Sequence, residues 1–131
     1  MRILYDTNVL VKMLSRREAI LAFKEDVKDG IINVSSKYIL AEVEAVLVEK
    51  LGLTKQKAKT TARLLGRQSI LVEPKNVEKV CRDPFDDYIL AAAATGKARY
   101  LVTADKDLLI LDEYKGVKII KPNEFRKITK G

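Results

Sequence analysis

The sequence predicts a three-layer α/β/α fold around a mainly parallel five-stranded sheet. Three observations lead there. Five short runs rich in β-branched and other apolar residues stand at 2–5, 31–35, 69–72, 100–102 and 117–120. Longer stretches of helical period separate most of them. Each parallel connection needs a crossover, which strand–helix alternation supplies. The 131 residues are enough for one domain, spanning 1–131, with its own core and no need of disulfides.

The elements follow in order. After the first run, residues 9–27 place Leu10, Met13, Leu14 and Leu21 at helical spacing, read as two short helices broken near Ser15 and stopped at Gly30. After the second run, residues 38–50 carry Ile39, Leu40, Val43, Val46 and Leu47 on one stripe, closed by Gly52. Thr54 can cap a further helix to about Arg67. Asp83-Pro84-Phe85-Asp86 reads as an N-cap, a proline at the first helical position and an acid at the third. The helix it opens contains Ala91 to Ala94 and ends at Gly96.

Composition narrows the chemistry. There is no His, so no imidazole relay and no His-rich zinc site can form. Cys81 is the single cysteine, which excludes an internal disulfide and suits a reduced, partly buried thiol in the cytoplasm. The amino terminus lacks a signal-peptide apolar core, and no stretch approaches the roughly 18–20 apolar residues needed to cross a bilayer. A soluble, cytoplasmic protein is expected. The formal net charge of +7 points to a polyanionic partner. It is unevenly spread: residues 51–82 carry 8 basic and 2 acidic side chains, whereas 83–114 carry 3 and 7.

Carboxylate chemistry remains. In a right-handed parallel sheet, the strand C-termini and the starts of the following helices share one edge, where ligands bind. Asp6, Glu42, Asp83, Asp86, Asp87, Asp105 and Asp107 all fall there. Converging carboxylates repel unless a cation offsets them, and an oxygen-only set suits Mg²⁺ or Mn²⁺. A phosphodiester is the natural substrate of such a site. Each acid also has a plainer reading. Asp6 can cap the following helix, Asp83 and Asp86 can cap around Pro84, and Asp105 and Asp107 can serve a short turn. Asp87 has no capping duty beside Ile89, Leu90 and Ala93, which makes it the stronger ligand candidate. Glu42 and Glu44 flank the Ile39/Val43/Leu47 stripe on opposite edges, and periodicity does not choose between them. The run including Lys55, Lys59, Arg63 and Arg67 reads as a solvated helix face or as a nucleic-acid contact surface.

Taken in order, Asp6-Thr7-Asn8, Ser36-Lys37-Tyr38-Ile39-Leu40-Ala41-Glu42-Val43, Arg82-Asp83-Pro84-Phe85-Asp86-Asp87, Leu101-Val102-Thr103-Ala104-Asp105-Lys106-Asp107 and Pro122-Asn123-Glu124-Phe125 resemble the PIN-domain nucleases. The likeness is strongest to the VapC-like branch, the toxins of toxin–antitoxin pairs. It implies strand order 3-2-1-4-5 and an acidic pocket of Asp6, Glu42, Asp87 and Asp105, which chooses Glu42 over Glu44. It also implies Asp107 as an additional metal contact and Thr103 as a hydroxyl orienting a carboxylate or water; it gives Asp83 and Asp86 no fixed role, in keeping with their capping explanation, and with Asn8 they are counted as supporting residues.

The expected activity is Mg²⁺- or Mn²⁺-dependent hydrolysis of RNA, with Asp6, Asp87 and Asp105 holding metal and Glu42 helping. A homodimer and a cognate antitoxin are the expected partners, with the helices over 38–67 as the dimer contact. The competing expectation is a non-catalytic PIN-like module that binds RNA or protein through its basic surface. A phosphoacceptor domain fits less well, since only Asp6 follows the first strand.

Overall fold

The computed structural model describes residues 1–130; the side chains at 17–20, 22 and 23 lie outside the description. Its elements run β1 (Arg2–Tyr5), α1 (Thr7–Leu14), α2 (Arg17–Lys28), β2 (Ile32–Ser35), α3 (Lys37–Leu51), α4 (Lys55–Arg67), β3 (Ser69–Leu71), α5 (Pro84–Thr95), β4 (Tyr100–Val102), α6 (Lys106–Leu109), β5 (Glu113–Tyr114), β6 (Val117–Ile120) and α7 (Pro122–Lys130). The sheet order is β3-β2-β1-β4-β6-β5, parallel throughout except for the β5–β6 pair. The expected order therefore holds for the five longer strands. The sheet has a sixth, β5, that the five-stranded expectation lacks. Its hairpin turns at Lys115 and Gly116, both at positive φ (47° and 84°), where glycine bears the strain-free position.

The two sheet faces bury different partners. Alternation along β2 sends Val34 to one side and Asn33 and Ser35 to the other. On the Val34 side lies the end of α5, so close that a Cβ at Gly96 would collide with Val34 Cγ1. Glycine there permits the helix to approach the sheet. On the Tyr5/Asn33/Ser35 side, Leu10 of α1, Leu40 of α3 and Leu65 of α4 close a small cavity. α7 covers the same face further along, with Phe125 edge-on to Tyr5 at 5.9 Å between ring centroids. The core is continuous, with Ile3, Leu4, Leu101, Val102, Ile89, Leu90 and Phe125 buried.

Helix ends follow the capping chemistry of the sequence. Ser36 and Thr54 accept from the N–H groups of Ile39 and Lys57, and Asp83 accepts from Phe85. Gly52 terminates α3 in the left-handed region at φ 67°. The end of α4 returns to the start of α3, where Gly66 sits against Leu40. Among the described residues, no helix is long and apolar enough to cross a membrane.

Candidate metal centre

Sheet register builds the first part of the site. Tyr5 pairs with Val102 at the end of the β1–β4 ladder, so Asp6 and Thr103 are the next residues on adjacent parallel strands. Two further bonds keep them aligned: Asp6 N–H donates to Val102 O at 3.0 Å, and Thr103 N–H to Ile120 O at 2.9 Å. The Thr103 hydroxyl, fully buried, then donates to Asp6 Oδ2 at 2.7 Å and accepts from Asp105 N–H at 3.0 Å. Thr103 thereby orients one carboxylate and fixes the backbone that carries another.

Asp6 Oδ1 accepts from Thr7 N–H at 2.7 Å, so it caps α1 with one oxygen while the other faces Thr103. Burial pushes its carboxyl above the ordinary value and the Asp105 charge adds to this, against the Thr103 and Thr7 hydrogen bonds.

α5 supplies the second part through the Asp86/Asp87 doublet, whose two members are partnered differently. Asp86, Asp105 and Asp107 each offer a carboxylate oxygen, and these atoms lie within 4.8 Å of one another. Asp86 makes no cap. It is 6% exposed, and burial, followed by the Asp105 and Asp83 charges, pushes its pKa up to about 7. Asp87 is not part of that group. Its Oδ1 accepts from Val80 N–H at 2.9 Å and Cys81 N–H at 2.6 Å, on the loop that precedes α5. Burial raises its carboxyl, but these donors outweigh it and the net displacement is downward. Asp87 thus has no capping duty, yet it is paired: it ties down residues 80–81, and it is Asp86 that stands in the three-acid group. The physical reason is the long loop, whose return over α5 brings unpaired N–H groups to Asp87.

The remaining expected residues take varied positions. Asp105 caps α6 by accepting from Asp107 N–H at 2.9 Å. Asp107 is engaged by Arg82 Nη2 at 2.9 and 3.0 Å, a partner 25 residues away that no local sequence pattern announces. Asp83 is an exposed cap, and Asn8 is exposed in the first turn of α1. Glu42 is half-buried in the second turn of α3, outside the Asp86/Asp105/Asp107 group. Glu44 faces the other way, lining a groove between α3 and α4 with Glu49, Lys55 and Lys59. Two of the four basic candidates, Lys55 and Lys59, therefore share their surface with acids; Arg63 and Arg67 are exposed further along α4.

The donor set fits a hard divalent cation. It is made only of oxygens, two of its three acids are half-buried and the third is buried, and their mutual repulsion is relieved by positive charge.

Comparison with known families matches residues 2–107 to the PIN domain. That covers most of the chain, and the chain belongs to the PIN-domain family. The curated proteins and the solved structures give no match.

Proposed function

We propose that this PIN-domain protein is a Mg²⁺- or Mn²⁺-dependent endoribonuclease in which Asp86, rather than Asp87, joins Asp105 and Asp107 in holding the metal. The observation that carries the reading is the approach of three carboxylate oxygens to within 4.8 Å at the family's expected edge. Asp6 stands beside them through Thr103, and Glu42, half-buried on α3, takes from the family likeness the role of positioning a water or helping to hold metal. When bound, the ion polarises a phosphodiester and lowers the pKa of a coordinated water. The chain's own part is positional. Thr103 aims Asp6 and opposes the burial that raises its carboxyl, and the α6 cap fixes Asp105. With its pKa pushed up to about 7, Asp86 is partly protonated near neutral pH, and a bound cation would favour its ionised form.

The same reading includes a cytoplasmic toxin working with a cognate antitoxin and forming a homodimer. What supports it is the order of motifs along the chain, from Asp6-Thr7-Asn8 to Pro122-Asn123-Glu124-Phe125. The test is cleavage of a single-stranded RNA oligonucleotide with Mn²⁺ or with chelator. Cleavage by wild type that chelator abolishes and that Asp6→Asn and Asp86→Asn lose while remaining folded is the expected result. Undiminished cleavage by both variants overturns the reading; salt-sensitive binding without any cleavage favours the non-catalytic module instead.

A further inference from the structure

Next to the acids, α3 and α5 carry an aromatic surface that metal-assisted hydrolysis leaves unused. Tyr38 stands one helical turn before Glu42, and Phe85 and Tyr88 bracket the Asp86/Asp87 doublet. The Tyr38 ring lies 4.4 Å from Tyr88 and 5.3 Å from Phe85, centroid to centroid. Phe85 and Tyr88 are packed against the core, but Tyr38 is 48% exposed. Contact with two packed rings restricts the Tyr38 side chain while about half of its surface stays open, which is the preorganisation a stacking contact requires.

Three features name the occupant. Tyr38 and Tyr88 form part of the wall of an open groove of about 480 Å³, which also includes Lys37, Leu71, Val72 and Glu73. That volume accommodates a nucleobase with its sugar. Lys37 supplies a cation for a backbone phosphate, while the Glu73 carboxylate accepts from an exocyclic amine and disfavours a phosphate inside the groove. The groove also opens where β3 ends and α3 begins, on the sheet edge that carries the acids, and Tyr38 and Tyr88 belong to the same helices as Glu42 and Asp86.

We propose that Tyr38, backed by Tyr88, is a stacking platform for an unpaired base of single-stranded RNA next to the phosphodiester being cut, with Lys37 meeting the backbone. Bases in a duplex are already stacked and paired, so this platform selects single strands. The assignment rests on the nuclease reading for its place beside the scissile bond, but its binding readout does not require cleavage.

The experiment uses a single-stranded RNA containing 2-aminopurine, whose fluorescence is quenched by stacking, titrated with full-length protein in Ca²⁺. Wild type and Tyr38→Phe are expected to quench it. Tyr38→Ala and Tyr38→Leu should fail to quench and bind about 5- to 150-fold more weakly, the range for losing one stacked base. Tyr38→Leu preserves bulk on the helix should Tyr38→Ala fold poorly. In Mn²⁺ turnover the two variants should raise KM more than they lower kcat, with no such effect on binding to a duplex. Absence of quenching by wild type, or equal quenching and binding by Tyr38→Leu and wild type, overturns the platform. Cleavage by wild type in that case leaves the nuclease reading standing; quenching that depends on Tyr38 without any cleavage keeps the platform and removes the nuclease.

Discussion

Two groups of buried acid in this molecule are treated in opposite ways. On the face covered by α2 and α7, Asp26 is 4% exposed, yet it accepts from Arg126 Nη1 at 2.9 and 3.1 Å and from the Tyr5 hydroxyl at 2.9 Å. Burial, and then the Asp26 charge, keep the Tyr5 phenol protonated well beyond its ordinary range. At the strand C-termini, Asp86 is buried to a similar extent but faces Asp105, Asp83 and Asp6. One carboxylate is matched by a cation within the fold and joins three elements distant in sequence. The other meets like charge. A buried acid paired internally belongs to stability, whereas one crowded by its own kind implies that its counter-charge comes from outside.

The largest expected effects separate these roles. Asp86→Asn should lower RNA cleavage by at least about 100-fold, as expected for losing a metal-holding group, with thermal stability in chelator unchanged or higher. Asp87→Ala should do the reverse: it leaves the Val80 and Cys81 N–H groups without their acceptor, costing about 1–3 kcal/mol, while cleavage by the folded fraction persists. Paired urea-melting and cleavage measurements distinguish the two neighbours. A loss of cleavage confined to Asp87→Ala would place the chemistry on the wrong aspartate.

The internally paired group should show only the stability half of this behaviour. Arg126→Met strands the Asp26 charge in a buried place and is expected to cost about 3 kcal/mol in urea unfolding, because breaking a buried pair leaves desolvation uncompensated. Asp26→Asn, which can still accept from Arg126 and Tyr5, should cost less. Divalent metal should stabilise both as it does wild type, leaving their deficits relative to wild type unchanged.

These contrasts also explain which parts of the molecule are legible in the amino-acid order. β1, β4 and β6 fall where their apolar runs place them, and the caps at Ser36, Thr54 and Asp83 obey local rules. Asp6 and Thr103 come together because sheet register is fixed by the same apolar runs. β5 is hidden because two residues, Glu113 and Tyr114, give no periodicity, and its turn uses Lys115-Gly116 in place of a stronger hairpin pair. The Asp86/Asp87 doublet is illegible for another reason. Neighbours on a helix point about 100° apart, and which one faces the site depends on a loop from Val72 to Arg82 whose path no local pattern encodes. The Arg82–Asp107 ion pair, 25 residues apart in sequence, is hidden in the same way.

A smaller effect, but one that sharpens the comparison, is stabilisation by metal. Mn²⁺ at about 100 times its dissociation constant should add about 2.7 kcal/mol to wild type. It should add much less to Asp86→Asn or Asp105→Asn and retain its full effect on Asp26→Asn. Equal stabilisation of all four proteins would separate the metal from the acid cluster.

The last expected effect is that of pH, and its sign follows from two adjacent residues. The Asp86 pKa is raised from 3.8 to about 7 by burial and then by neighbouring acids, so the fold favours its protonated form. Its contribution to stability is complete below about 3.8 and is lost as pH rises through about 7. Asp87 is displaced downward by its two N–H donors despite burial, so its contribution is present above its ordinary value of 3.8 and disappears as pH falls through the lower folded value. In chelator, wild type should therefore lose stability between pH 5 and about 7.5 relative to Asp86→Asn, which has no proton to release there. Saturating Mn²⁺ should reverse that slope, since the cation competes with the proton and binds better as pH rises. Melting temperatures of both proteins across this interval decide the matter: parallel curves in chelator would mean that Asp86 ionises as an ordinary surface acid, and the contrast with Asp26 would lose its electrostatic basis.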